Sequence, residues 1–349
     1  MGIVEVVGGV DTHADFHVAA AVDTNGGLLA VERFRADDDG YQDLLAWLAG
    51  LGRVTRVGVE GTGSYGVGLA RFLVEADIEV VEVDRQNRQV RRKKGKSDPT
   101  DAVIAARAAL SGAAAVVPKL RNGPVEQMRV LLVARRSARL QRSQTLNQLR
   151  HLVFTAPESI RVRFKDRPQI GLIKEAAAMR PNPASDPVVY TTNLMIRNLA
   201  RRIRALTEEV KEIDRLLKDL VNQTAPTLLD LYGVGPDGAA TLLVTAGDNP
   251  ERIRSERSWA HLCGVTPIPA SSGKTVRHRL NRGGDRHANS ALHRIVLTRM
   301  SNHTETRAYV ARRRAEGLNS FEIMRCLKRY VARQVFKHLP MAASTLGGV

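Results

Sequence analysis

The order of short β-rich and amphipathic runs at the start of the chain restricts its fold more than any other feature. Residues 4–11 (VEVVGGVD), 17–23 (HVAAAVD) and 28–34 (LLAVERF) read as strands joined by short turns, and the Asn25-Gly26 pair is a strong hairpin signal. Residues 40–51 read as an amphipathic helix, 55–60 as a strand, 64–77 as a helix with Ser64 as its N-cap, and 78–84 as another strand. A further helix starts at Pro99. This order, β-β-β-α-β-α-β and then α, predicts an antiparallel meander extended into a mixed sheet: an α/β layer over residues 1–123.

From Pro124 the periodicity changes. Residues 124–154 form one long helical pattern with no internal Gly or Pro, and its polar face carries Arg129, Arg135, Arg136, Arg139, Arg142 and Arg150. Residues 156–190 read as Pro-rich and irregular. Over 193–223 the residues Ile196, Leu199, Ile203, Leu206, Val210, Ile213, Leu217 and Leu220 step by three or four, a coiled-coil stripe that pairs helices within one chain or between chains. The expected organisation is therefore an α/β domain (1–123), a helical, coiled-coil-like linker (124–225) and a mainly α domain (226–340).

Lys and Arg number 53 against 36 Asp and Glu, a formal net charge of +17. Such an excess calls for a polyanionic partner, nucleic acid first among them. Aromatics make up 4% of the chain, so the core must rest on aliphatic side chains. The two cysteines, Cys263 and Cys326, form no CxxC, which argues against a zinc site or a disulfide framework and for a reducing compartment. The N-terminal stretch does not read as a signal peptide, and no run approaches the ~20 apolar residues that span a bilayer. A cytoplasmic, nucleoid-associated bacterial protein without membrane contact is expected.

Four carboxylates stand at element ends. Asp11 closes the first strand in GGVDTHAD, and Glu60 closes the fourth in VGVEGTGSYG, where Gly61 and Gly63 free the following backbone. In an RNase H-like meander the first and fourth strands are neighbours, which sets Asp11 beside Glu60. Asp98 and Asp101 interrupt a basic stretch, RQVRRKKGKSDPTDA. Two readings stand for this pair. Pro99 suits the first helical position, with Asp98 as N-cap and Asp101 in an acidic first turn. Alternatively, both carboxylates share a helix face and reach a common site. Clustered carboxylates repel, and a divalent cation that favours oxygen ligands, Mg2+ or Mn2+, relieves the repulsion. Two such ions can clamp the attacking and leaving oxygens of a phosphoryl transfer. His13 is read as a supporting neighbour of such a site and His17 as a strand residue.

In the C-terminal part, residues 228–243 (LLDLYGVGPDGAATLL) fit a helix-hairpin-helix. Gly233 and Gly235 would turn the backbone and offer N–H groups to a phosphate, with a plain helical hairpin as the alternative. Ser271 and Ser272 lie in a loop between Pro269 and Gly273, followed by Lys274, Arg277, His278, Arg279, Arg282 and Arg286. Cations there would stabilise a serine oxyanion and hold a target phosphate. A Ser-Gly turn beside a phosphate-binding patch is the alternative.

The blocks GGVDTHAD, VEGTGSYG and KGKSDPTDA resemble the three signatures of the DEDD-type insertion-sequence transposases, the insertion sequence one-hundred-and-ten family, whose N-terminal domain is similar to the junction resolvase RuvC. GVTPIPASSGK and NRGGDRHANSALHR look like that family's C-terminal transposase motif, except that Gly284 stands where Asn is usual. The resemblance covers residues 8–112 and 226–300. It implies a RuvC-like metal centre of Asp11, Glu60, Asp98 and Asp101 and a nucleophilic serine at Ser272, with Ser271 as the neighbouring alternative. It also implies an enzyme that cuts and rejoins donor and target DNA through a phosphoserine ester. The serine would come from another protomer of a dimer or tetramer, and a structured non-coding (bridge) RNA would act as guide. Two rivals remain. One is a metal-dependent junction resolvase or nuclease without the serine step. The other is a basic nucleic-acid-binding protein with an inactive RNase H-like fold.

Overall fold

A computed structural model of the chain describes residues 4–83, 98–119, 121–270, 278–279 and 281–340. They fall into two compact units. One holds residues up to 123 together with 247–254; the other holds 124–246 and 255–341.

The first unit is built on a five-stranded sheet in the order β3-β2-β1-β4-β5. β1 (Glu5–Thr12), β2 (Phe16–Val22) and β3 (Leu28–Arg35) form the expected antiparallel meander. β4 (Arg53–Glu60) then adds to β1 in parallel, and β5 (Glu79–Val83) adds to β4 in parallel. The two parallel joins each need a crossover, supplied by α1 (Asp38–Leu51) and α2 (Val67–Glu75). Asp37 caps α1, its Oδ1 accepting from the Gly40 N–H at 2.9 Å. Ser64 does not cap α2. Its hydroxyl donates back to the Gly61 carbonyl, and the turn begun at Gly61 (φ 72) runs on until Gly66 holds the cap position without a side-chain bond.

Side chains alternate across a strand, so each face has its own partner. Val6, Val10, Val57 and Val59 point to α1 and α2, where Leu44, Leu48, Leu69 and Leu73 are fully buried. Each of those leucines contributes about 1.5–3 kcal/mol by leaving water. Val7, Val22, Val81 and Val83 point the other way, onto α3 (Asp98–Leu110) and its Ala105, Ala106 and Ala109. The α3 face is alanine-rich because the helix lies almost on the sheet. A Cβ on Gly9 would fall 2.0 Å from the Ala106 nitrogen, and one on Gly58 would fall 2.7 Å from the Ala105 carbonyl oxygen. α3 starts at Asp98, one residue before the expected Pro99, so its cap position lies outside the described residues. Residues 247–254 dock onto this unit through the Asn249 amide, which donates to the Pro118 carbonyl at 2.9 Å.

The second unit is helical. α4 (Pro124–Phe154) matches its sequence pattern end to end. Residues 156–190 are not irregular: α5 (Glu158–Phe164) and α6 (Gln169–Ala178) lie there, each with a proline, Pro157 or Pro168, at its N-cap. Proline disrupts a helix interior, but at a helix start it costs no hydrogen bond. α7 (Pro187–Thr224) likewise starts earlier than its apolar stripe, with Asp186 as cap and Pro187 at N1. Ile196, Ile203, Val210, Ile213 and Leu217 of the stripe are buried, and α4 pairs with α7 within the chain. Leu149, Ile160, Phe164, Leu172 and Met179 share a core with the stripe's Ile196 and Ile203. After α7 a single 3-10 turn (Pro226–Leu228) stands where the first limb of the helix-hairpin-helix was expected. α7 ends at Thr224 and the backbone reverses at Gly233 (φ 78), and between them only Pro226–Leu228 take a helical turn. α8 (Pro236–Ala246) is the second limb. α9 (Glu256–Leu262), the two-residue strands β6 (Ile268–Pro269) and β7 (His278–Arg279), α10 (Arg286–Asn302), α11 (Thr304–Ala315) and α12 (Ser320–Phe336) complete the unit. No helix among the described residues is long and apolar enough to cross a membrane.

Candidate metal centre

Three of the four sequence-selected carboxylates converge at one end of the sheet, and register places the fourth alongside. Val10 pairs with Val59, so the next residues, Asp11 and Glu60, end adjacent parallel strands. Asp11 shares a strand face with Gly9, and Glu60 shares one with Gly58, the two glycines that admit α3. The close approach of α3 therefore carries its first turn, with Asp98 and Asp101, toward Asp11. Asp11, Glu60 and Asp101 are buried, and Asp98 is half-buried. The Thr12 hydroxyl donates to the Glu60 carbonyl at 2.8 Å and ties the two strand ends together.

The electrostatics reflect the crowding. Burial pushes the Asp11 carboxyl above its ordinary value; His13 pulls it down, and Asp101 and Asp98 push it up. Asp101 is thus inside the cluster and 8% exposed, unlike an ordinary solvated first-turn aspartate. His13 stands closer than sequence reasoning placed it. Its Nε2 lies 3.2 Å from Asp11 Oδ2 and 3.5 Å from Asp98 Oδ2, and its ring stacks on Phe16 at 4.7 Å. Nε2 is shielded from solvent and lacks hydrogen-bond geometry to either oxygen. One ligand atom each from Asp11, His13 and Asp98 lies within 4.8 Å of the others. The donor set, two carboxylates and an imidazole around a shared point, fits a divalent cation that would offset the repulsion of Asp11, Asp98 and Asp101. The Asp-x-His spacing at the end of β1 was the available signal for His13. His17 faces the opposite side of the sheet, fully buried and stacked on Tyr41 at 5.7 Å, away from the cluster.

The remaining candidates are scattered. Ser271, Ser272, Lys274 and Arg277 lie outside the described residues. Arg279, Arg282 and Arg286 are exposed, as is Arg139, while Arg136 and Arg142 are half-buried. Arg135 is not on the basic face: it is buried between α4, α7 and α8, bonded to Asp214 at 2.5 Å and Asp237 at 2.8 Å. Its heptad-like position faces the partner helices, so its charge neutralises theirs. Of the GVG turn, the Val234 N–H is already spent on the Leu231 carbonyl. Gly284 has φ 89, and a Cβ there would come 2.6 Å from the Gly264 nitrogen and the Leu262 carbonyl oxygen. This loop therefore has no room for a side chain at that position.

Comparison with known families accords with this site. Residues 8–156 match a transposase family of the DEDD type typified by IS110, and residues 225–311 match the Transposase IS116/IS110/IS902 family. Together the two matches take in more than half of the chain. Over 134 residues the chain is 29% identical to an insertion element IS110 uncharacterized 43.6 kDa protein from Streptomyces coelicolor, a stretch that covers 38% of this chain and 33% of that protein.

Proposed function

Because the chain belongs to the IS110 family of transposases, we propose that it is a DNA recombinase that moves an insertion sequence by cutting and rejoining strands. The observation that carries this reading is the convergence of Asp11, His13, Asp98 and Asp101 at the end of the sheet, next to Glu60. A bound Mg2+ or Mn2+ would supply charge stabilisation to a phosphate undergoing in-line displacement. Asp11, Asp98 and His13 would hold that ion, with Asp101 and Glu60 completing the acidic wall. The stack on Phe16 orients the His13 ring, and the Thr12 hydroxyl, bonded to the Glu60 backbone carbonyl, holds the two strand ends together.

Ser272, or its neighbour Ser271, is proposed as the nucleophile. The hydroxyl loses its proton as the Oγ–P bond forms. One P–O bond of the DNA breaks, and the departing oxygen takes up a proton as a free strand end. Attack on the phosphoserine by another strand's hydroxyl reverses these steps and restores the serine, so rejoining needs no ATP. A net charge of +17 favours donor and target DNA, and the family resemblance extends the proposal to a structured guide RNA and a dimeric or tetrameric assembly.

The test is incubation with Mg2+ and DNA carrying the element's ends, followed by denaturing electrophoresis. The reading requires a covalent protein–DNA species that Ser272→Ala abolishes while DNA binding persists. Cleavage without an adduct in both the parent and Ser272→Ala would make the protein a two-metal nuclease that uses water.

A further inference from the structure

The helical unit contains a second feature that the metal centre does not use: an open cavity of about 470 Å3 between residues 264–267, Arg279, Asn281, α11 and α12. Its size lies in the range that holds one small organic ligand. Val265, Pro267, Leu318 and the Tyr330 ring supply apolar walls. Arg279, Arg325 and Lys328 also line it, and none of the three has a carboxylate partner among the described residues. Lys328 is 7% exposed and its Nζ donates to the neutral Asn289 Oδ1 at 2.8 Å. Burial and then the Arg325 charge hold its ammonium below the usual lysine range, as expected where positive charge is uncompensated. The carboxylate at the edge, Glu322, is engaged by the Asn319 N–H.

Two lining groups want a partner. Asn281 is 8% exposed; its Oδ1 accepts from the Gly283 N–H, but its Nδ2 has no acceptor. The Thr266 Oγ1 is likewise buried without a partner. Buried donors in native proteins are satisfied in the great majority of cases, by protein, water or ligand. A flat, partly apolar ligand with acceptor atoms on its edge and a negative charge at its periphery would satisfy the walls, the donors and the cations together. A bare phosphate would leave the apolar walls unexplained, and a duplex cannot enter a pit of this size.

We propose that this cavity receives a single unstacked nucleotide, its base between the apolar walls with an acceptor edge toward Asn281 Nδ2 and Thr266 Oγ1, and its phosphate on Arg279 and Arg325. The proposal rests on the nucleic-acid reading above. The chemistry is shared by DNA and RNA, and both would pay little to unstack a base that is already unpaired.

Cys326 lines the cavity and is partly accessible, whereas Cys263 is fully buried, so thiol labelling reports on this site. The full chain is treated with N-ethylmaleimide, alone or with short single-stranded DNA, single-stranded RNA of the same sequence, or the blunt DNA duplex. Fluorescence anisotropy on the same samples measures binding. Labelling of Cys326, read by mass spectrometry, should slow about tenfold at a single-strand concentration about ten times its dissociation constant. The duplex should bind without protecting. Whichever single strand protects at the lower concentration identifies the source of the nucleotide. Arg279→Ala and Arg325→Ala should weaken protection without lowering the melting temperature, and Cys326→Trp, which fills the cavity, should weaken single-strand binding about tenfold relative to duplex. Binding without protection, equal protection by the duplex, or full protection in both arginine variants would overturn the cavity proposal while leaving the recombinase reading intact. Failure of every nucleic acid to bind would remove both.

Discussion

Asp11 is buried beside two other aspartates, and in the absence of a cation its charge is a liability to the fold. Its raised pKa means that the folded state disfavours the ionised form, so the stability it contributes is present at low pH and lost as pH rises above the ordinary carboxylate range. Asp11→Asn should therefore raise the melting temperature of the metal-free protein, by about 2–4 °C if the relief is near 1 kcal/mol. The same change should abolish the upward shift that Mn2+ gives the parent and cut DNA cleavage by at least about 100-fold. A lower metal-free melting temperature in Asp11→Asn would mean that the carboxylate is a structural hydrogen-bond acceptor. His17 gives the opposite sign. Burial lowers its pKa from 6.5 to about 4, and neither ring nitrogen has a hydrogen-bond partner. Between those values the unfolded chain takes up a proton that the folded chain refuses, so stability falls as pH drops through the window, by at most about 3 kcal/mol. His17→Phe keeps the stacking surface against Tyr41 and removes the titration. Urea unfolding at pH 7 and pH 4.5 should show a smaller acid loss in the variant than in the parent; equal losses would locate the acid sensitivity elsewhere.

At the scale of elements, α3 matters through its distance from the sheet. Gly9→Ala inserts a methyl where the Ala106 nitrogen would be 2.0 Å away, so the helix must lift. The overpacking should cost at least about 1–3 kcal/mol. Asp98 and Asp101 would withdraw from Asp11, and Mn2+ affinity measured by calorimetry should fall along with cleavage. Gly26→Ala, on an open turn, should cost stability through its positive φ but leave metal affinity alone. Unchanged metal binding in Gly9→Ala would mean that α3 does not position the site. The succession of strands and helices along the chain and the three acidic blocks were legible because period-two alternation, turn residues and element-end carboxylates are local signals. The β1–β4 neighbourhood is not local and followed only from the expected RNase H-like fold. His13 was underrated because its role depends on where Asp98 arrives, which no local pattern encodes. Arg135 was misplaced for a related reason. A run of arginines on a long helix looks uniformly solvated until the partners of each face are known, and here Asp214 and Asp237 claim one of them. The Pro-rich stretch at 156–190 hid α5 and α6 because proline both ends helices and begins them.

For the whole molecule, the excess of 17 positive charges makes a quantitative demand on nucleic-acid binding. If Lys and Arg contact phosphates, each contact releases a condensed counterion, and the logarithm of affinity falls with the logarithm of salt concentration at about 0.9 per duplex contact. Net charge alone does not produce such a slope unless the charges touch the ligand, so single residues can be interrogated. Arg139 is exposed and Arg142 half-buried on α4, without ion-pair partners among the described residues. The double variant Arg139→Ala, Arg142→Ala should flatten the salt dependence by up to about 1.8 if both meet phosphates. Arg135→Met is the internal control. It deletes one formal charge from the same helix, against two in the double variant, and the guanidinium it removes is buried against two carboxylates. Its effect should fall on stability, since Asp237 retains Arg294 at 2.7 Å while Asp214 is left with solvent. The salt slope of Arg135→Met should equal that of the parent. Anisotropy titrations of labelled duplex from low to physiological salt measure all three proteins on one scale. An unchanged slope in the double variant would show that α4 is not the face that meets the nucleic acid. A reduced slope in Arg135→Met with an unchanged melting temperature would show that this side chain leaves its carboxylates to bind DNA. If the parent itself gave a near-flat titration, the positive charge would serve some purpose other than phosphate binding, and the DNA substrate would be in question with it.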